Sequence, residues 1–96
     1  MFVDLKNKVA IVTGSGQGIG QGIAKVFAAN GASVIIATRS KENGSATVNE
    51  IKERGGEAKL IQCDVGKSEN ITELVQETAD LYGRIDIGIH NAAVFG

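Results

Sequence analysis

Four apolar runs alternate along the chain with three segments whose apolar residues recur at helical spacing. The first run, Val9-Ala10-Ile11-Val12 within Lys8–Thr13, has no polar residue among its apolar ones, as expected of a strand buried on both faces of a parallel sheet. Behind it, Ile19, Ile23, Val26 and Phe27 line one side of a predicted helix over Ile19–Ala29, with Gln21, Lys25 and Asn30 turned away and Asn30-Gly31 as its stop. Ala32–Thr38, rich in β-branched residues, predicts a second strand. A polar helix over Glu42–Arg54 follows, with Val48 and Ile51 inward and Gly55-Gly56 ending it. Glu57–Cys63 reads as the third strand. Ser68 then offers an N-cap, with Glu69 in the first turn and Ile71, Leu74, Val75, Thr78 and Tyr82 as the inner face of a third helix that Gly83 stops. Ile85–Asn91 completes the pattern as a fourth strand, and Met1–Asn7 is a short polar lead.

Strands and helices alternating through short connections imply right-handed crossovers, hence an α/β, doubly wound parallel sheet of order 3-2-1-4 with helices on both faces. In such a sheet a ligand lies beyond the carboxyl ends of the strands, at the point where the order reverses, here between the first and fourth strands. The strand ends are Thr13-Gly14, Thr38-Arg39, Cys63-Asp64-Val65 and Asn91-Ala92. The richest of them is Thr13-Gly14-Ser15-Gly16-Gln17-Gly18-Ile19-Gly20, a glycine turn between a strand and a helix. A helix that starts there presents unpaired backbone N–H groups and the positive end of its dipole, which suits a pyrophosphate. Gly14 would make the tight turn, Gly18 would let the backbone approach the phosphates, and Gly20 would let the helix pack close to the strand. The G-x-G-x-x-G spacing does not fit, since Ile19 occupies its third glycine position, and no Lys followed by Ser or Thr completes a P-loop.

What fits is Thr-Gly-x-x-x-Gly-Ile-Gly, and there the sequence resembles the short-chain dehydrogenase/reductase family, over Lys8 to Asn91. The resemblance implies a Rossmann-type fold and a dinucleotide cofactor contacted by Gly14, Ser15, Gln17, Gly18, Ile19 and Gly20. Arg39 stands where an NAD site usually carries an acid for the ribose hydroxyls; a guanidinium suits the 2′-phosphate of NADP, with Ser40 beside it as a helix cap or phosphate neighbour. NADP is therefore favoured and NAD remains an alternative, as does a merely solvated Arg39. Asp64-Val65 resembles the family's adenine pocket, and Asp64 also suits a local turn cap. Gly83 to Ala93 resembles the segment ending in Asn-Asn-Ala-Gly: Asn91 and Ala92 match it, implying a wall beside the cofactor ribose, whereas His90 and Ala93 replace its outer residues. His90 and Asp86 read as structural.

Composition narrows the function classes. With 10 basic and 11 acidic residues among 96, the net charge is −1, which gives no electrostatic basis for binding nucleic acid or an anionic membrane. The single cysteine, Cys63, has apolar neighbours and reads as a buried thiol in a reducing compartment. No apolar stretch approaches membrane-spanning length and the start lacks a signal-peptide pattern, so a soluble cytoplasmic protein is expected. There is no Cys/His cluster with metal spacing and no serine-centred elbow.

The family resemblance implies hydride transfer between a nicotinamide cofactor and an alcohol or ketone, a 3-oxoacyl group among the options. It also implies a catalytic serine and a Tyr-x-x-x-Lys pair, which these 96 residues do not contain: the one tyrosine, Tyr82, is followed at the fourth place by Asp86. The expected arrangement is an N-terminal, cofactor-binding part of a longer enzyme acting on a small-molecule substrate, homo-oligomeric once complete. A non-catalytic dinucleotide-binding or interaction module is the alternative.

Overall fold

The computed structural model describes residues 4–13, 18–64 and 67–90. They form β1 (Val9–Thr13), α1 (Gly18–Ala29), β2 (Ser33–Thr38), α2 (Lys41–Glu53), β3 (Glu57–Gln62), α3 (Ser68–Tyr82) and β4 (Ile87–His90). The strands make one parallel sheet of order β3-β2-β1-β4, as the alternation of elements predicts.

The apolar runs are continuous because both faces of the sheet are covered. Successive residues of β2 alternate between the faces: Val34 and Ile36 pack under α1 and α2 with Val12, Ala24, Ala28, Val48, Ile51 and Ala58, while Ile35 and Ala37 pack under α3 with Ile11, Ile61, Cys63 and Leu74. All four of these β2 residues are fully buried, so this central strand carries the largest hydrophobic contribution, about 1.5–3 kcal/mol for each large side chain. By contrast β3 is an edge strand, and Glu57, Lys59 and Gln62 are exposed along it, which discourages pairing with another chain.

Glycines shape both the helix ends and one close approach. Gly31, Gly55 and Gly83 follow the three helices with φ of 102°, 84° and 77°, a region other residues rarely adopt. Gly44 allows α2 to lie against the sheet, since a Cβ there would overlap Leu60 and come within 2.8 Å of Thr38 Cγ2. Where β4 enters the sheet, Asp86 takes the place of a ladder residue: its N–H donates to the Val9 carbonyl at 2.9 Å and its Oδ2 accepts from the Val9 N–H at 2.9 Å. Arg84 grips the same carboxylate through Nε at 2.9 Å and Nη2 at 2.7 Å. The structural reading of Asp86 is thereby given its content.

Four expectations about local structure are corrected, the first being the place of Val26 on the inner side of α1, since it is 59% exposed. Ser68 is not the N-cap of α3 but its first residue; Lys67 is the cap, extended and without a side-chain cap bond because an ammonium has no acceptor for the helix N–H groups, and its own N–H donates to the Asp64 carbonyl at 3.0 Å. Ile71 and Val75 are 39% and 45% exposed rather than inward, while Leu74 and Thr78 alone of the α3 residues are buried. The apolar stripe of α3 is wider than the surface beneath it. Finally, β4 begins at Ile87 rather than Ile85, since Asp86 is anchored by its side chain.

Candidate dinucleotide-binding site

The carboxyl ends of the four strands meet along one edge of the sheet. Thr13 stands in register with Ala37 of β2 and His90 of β4, and Thr38 with Gln62 of β3. α1 and α2 cover one face and α3 the other, and the point where the order reverses, at which such a sheet is expected to carry its ligand crevice, lies between β1 and β4. Helix α1 begins at Gly18, five residues beyond the end of β1, and directs its first-turn N–H groups to that edge. Gly18 and Ile19 belong to this first turn and Gly20 is buried within it. Gly14, Ser15, Gln17, Val65, Asn91 and Ala92 lie outside the described residues.

Arg39 follows β2, and its side chain is exposed with no ion pair to any described residue. Its backbone is held, because its carbonyl accepts from Gln62 Nε2 at 3.0 Å. Ser40, read from the sequence as a cap or a phosphate neighbour, is the N-cap of α2, its Oγ accepting from the Asn43 N–H at 3.2 Å, and its own N–H donates to Thr38 Oγ1 at 3.2 Å. The hydroxyl proton of Ser40 is not consumed by that cap bond. Asp64 is half-buried at the end of β3, and its backbone is held on both sides, its N–H donating to Asn70 Oδ1 at 3.4 Å and its carbonyl accepting from Lys67. Gln62 and Asn70 are the scaffolding residues that sequence reasoning passed over. An amide side chain at the end of a strand, or in the first turn after one, is the signal that could have found them.

Two reactive-looking groups are set aside by their surroundings. Cys63 is buried, with its thiol 3.6 Å from the Asn70 carbonyl; burial pushes its pKa up, with the Asp64 and Glu73 charges adding to the shift, so the thiolate that nucleophilic chemistry needs is disfavoured. Tyr82 donates from Oη to Glu57 Oε2 at 2.9 Å, at the first residue of β3 and thus at the opposite end of the sheet from the crevice. Burial, and then that carboxylate, raises its pKa well above the ordinary phenol value. It is a clip between α3 and β3.

What the edge offers is therefore a helix N-terminus for a pyrophosphate, a free guanidinium at the end of β2 and a carboxylate at the end of β3. The short chain dehydrogenase family pattern matches residues 8–96. The chain belongs to this family. Among solved structures, this family member is similar to the hydroxysteroid dehydrogenase of Escherichia coli, at 35% identity and a TM-score of 0.92 over 97% of this chain and 40% of that one. It is also similar to a metagenomic short-chain oxidoreductase solved in complex with NADP, at 36% identity and a TM-score of 0.89 over 93% of this chain and 40% of that one. An uncharacterized oxidoreductase of Thermotoga maritima is 41% identical over 90 residues, 94% of this chain and 35% of that protein. The chain thus spans little more than a third of the length of the relatives it matches.

Proposed function

We propose that this short-chain dehydrogenase chain holds NADP across its strand ends, as the cofactor-binding part of an oxidoreductase that acts on an alcohol or ketone. The observation that carries the reading is the pairing of an exposed Arg39, free of any described acid, with the N-terminus of α1 at the same edge of the sheet. Residues of the turn after β1, from Gly14 through Ser15 and Gln17 to Gly18, Ile19 and Gly20, hold the pyrophosphate through backbone N–H groups. Arg39 takes the ribose 2′-phosphate by charge-assisted hydrogen bonds, with the Ser40 hydroxyl as a further donor. Asp64 accepts from the adenine amino group beside Val65, and Asn91 and Ala92 wall the ribose.

When bound, the nicotinamide gives or takes a hydride while the substrate oxygen gains or loses a proton. The proton step lies with residues of the family's serine and Tyr-x-x-x-Lys type, which the 96 residues do not include. The relative solved with NADP supports the choice of cofactor.

Titration with NADPH and NADH tests the reading. The wild type should bind NADPH more tightly, and Arg39→Ala should weaken NADPH about tenfold or more while changing NADH little, since a hydrogen bond to a charged group contributes about 1.5–3 kcal/mol. Tighter binding of NADH, or an unchanged NADPH affinity in Arg39→Ala, overturns it.

A further inference from the structure

The seam between α1 and α2 is apolar along Ala24, Ala28, Val48 and Ile51, yet it contains a part-buried polar link near the nucleotide edge. Gln21 Nε2, in the second turn of α1, donates to Thr47 Oγ1 at 3.2 Å, and the fully buried Thr47 hydroxyl donates in turn to the Asn43 carbonyl at 3.2 Å. The Asn43 N–H donates to Ser40 Oγ, and the Ser40 N–H to Thr38 Oγ1, each at 3.2 Å. One line of hydrogen bonds therefore runs from the start of α1 to the loop that carries Arg39. Lys25 and Glu50 bridge the same two helices one turn further along, away from that edge.

A ligand with two anionic groups at a fixed separation engages both anchors only if the protein holds them at the matching distance. We propose that Gln21 and Thr47 are positioning residues for nucleotide selectivity, the bond between them setting α1 and the first turn of α2 at the spacing that the pyrophosphate and the 2′-phosphate require. This rests on the NADP reading above. NADH engages only the first anchor, so loosening the link weakens NADPH selectively. A link that served only to satisfy the buried Thr47 hydroxyl would, when cut, lower stability and affect both nucleotides alike.

The test measures dissociation constants of the protein for NADPH and NADH in Gln21→Met, Thr47→Val and Thr47→Ser. Gln21→Met and Thr47→Val should each reduce the preference for NADPH about fivefold, the worth of one ordinary hydrogen bond. Thr47→Ser, which keeps the hydroxyl, should retain the wild-type preference. In an Arg39→Ala background, Gln21→Met should no longer change it. Gln21 is half-buried and a methionine is of similar length, so that variant keeps the test open if Thr47→Val does not fold. A constant preference in Gln21→Met, with or without a common weakening of both nucleotides, overturns the positioning role while leaving the NADP reading intact. A wild type that prefers NADH or binds neither nucleotide overturns both.

Discussion

Under α1 and α2 the sheet meets Ala24, Ala28, Val48 and Ile51, each at most 8% exposed, although Val26 at the edge of the α1 stripe is 59% exposed, whereas under α3 only Leu74 and Thr78 are buried and Ile71, Val75 and Leu81 stay 39–46% exposed. The amphipathic patterns of α1 and α3 look alike in the sequence. What separates them is what lies beneath: α1 and α2 share a seam and pack small residues against the strands, and Gly44 brings α2 closer still, while α3 is the one helix on the other face among the described residues. An apolar stripe records which side of a helix can be buried. How much of that side is buried depends on the surface it meets.

Truncating β2 tests the contrast most severely. Ile36→Ala, under the paired helices, should cost about 4 kcal/mol, and Ile35→Ala, under α3, nearer to about 3, because a face held by one helix relaxes more readily around the cavity. Denaturant unfolding measures both, and a larger loss at Ile35 would reverse the comparison. Gly31→Ala comes next, at about 2 kcal/mol: its φ of 102° disfavours any side chain, and a Cβ there would press on the Lys6 backbone N at 3.0 Å and Cα at 3.1 Å. Near-wild-type stability in that variant would show that the turn after α1 adapts. Val75→Ser should change stability by about 0.5 kcal/mol or less, as expected of a half-exposed position. A loss near 2 kcal/mol would mean that the outer face of α3 is covered in solution.

The smallest effects are electrostatic, at one carboxylate where β4 enters the sheet and one between α1 and α2. The Arg84 guanidinium, and after it the Val9 N–H, hold Asp86 below the usual 3.8. On the α1–α2 side, Lys25 lowers the Glu50 pKa from its usual 4.5. A carboxylate with a depressed folded-state pKa contributes stability that is fully present above its unfolded pKa and is lost as pH falls through the folded value. Unfolding midpoints of the wild type should therefore drop as pH falls below about 4, and Asp86→Asn and Glu50→Gln should each remove part of that slope. Slopes unchanged in both variants would place the acid sensitivity elsewhere.

Most of the architecture was legible because it depends on short-range signals. The unbroken run Val9 to Val12 implied a strand covered on both faces, the glycines at 31, 55 and 83 marked helix ends, and short connections left a single handedness for each crossover. The strand ends, and hence the placement of Arg39 and Asp64 on one edge, followed from that order. The family resemblance rested on local spacing too, in the glycine turn and in Asn91-Ala92. The partners of these residues were not legible. Nothing in the pattern showed that Gln62 would hold the Arg39 carbonyl, that Asn70 would hold the Asp64 N–H, or that Tyr82 would reach back to Glu57.

The sequence by itself determined the order of elements, the parallel sheet and the edge on which the candidate cofactor residues gather, because backbone conformation and apolar periodicity are properties of neighbouring residues. Tertiary structure alone decided that Lys67 rather than Ser68 precedes α3, since that depends on how the chain turns after a strand end. It alone joined Gln21 to Thr47, residues 26 positions apart, because a hydrogen bond between two helices exists only once the sheet beneath has brought them together.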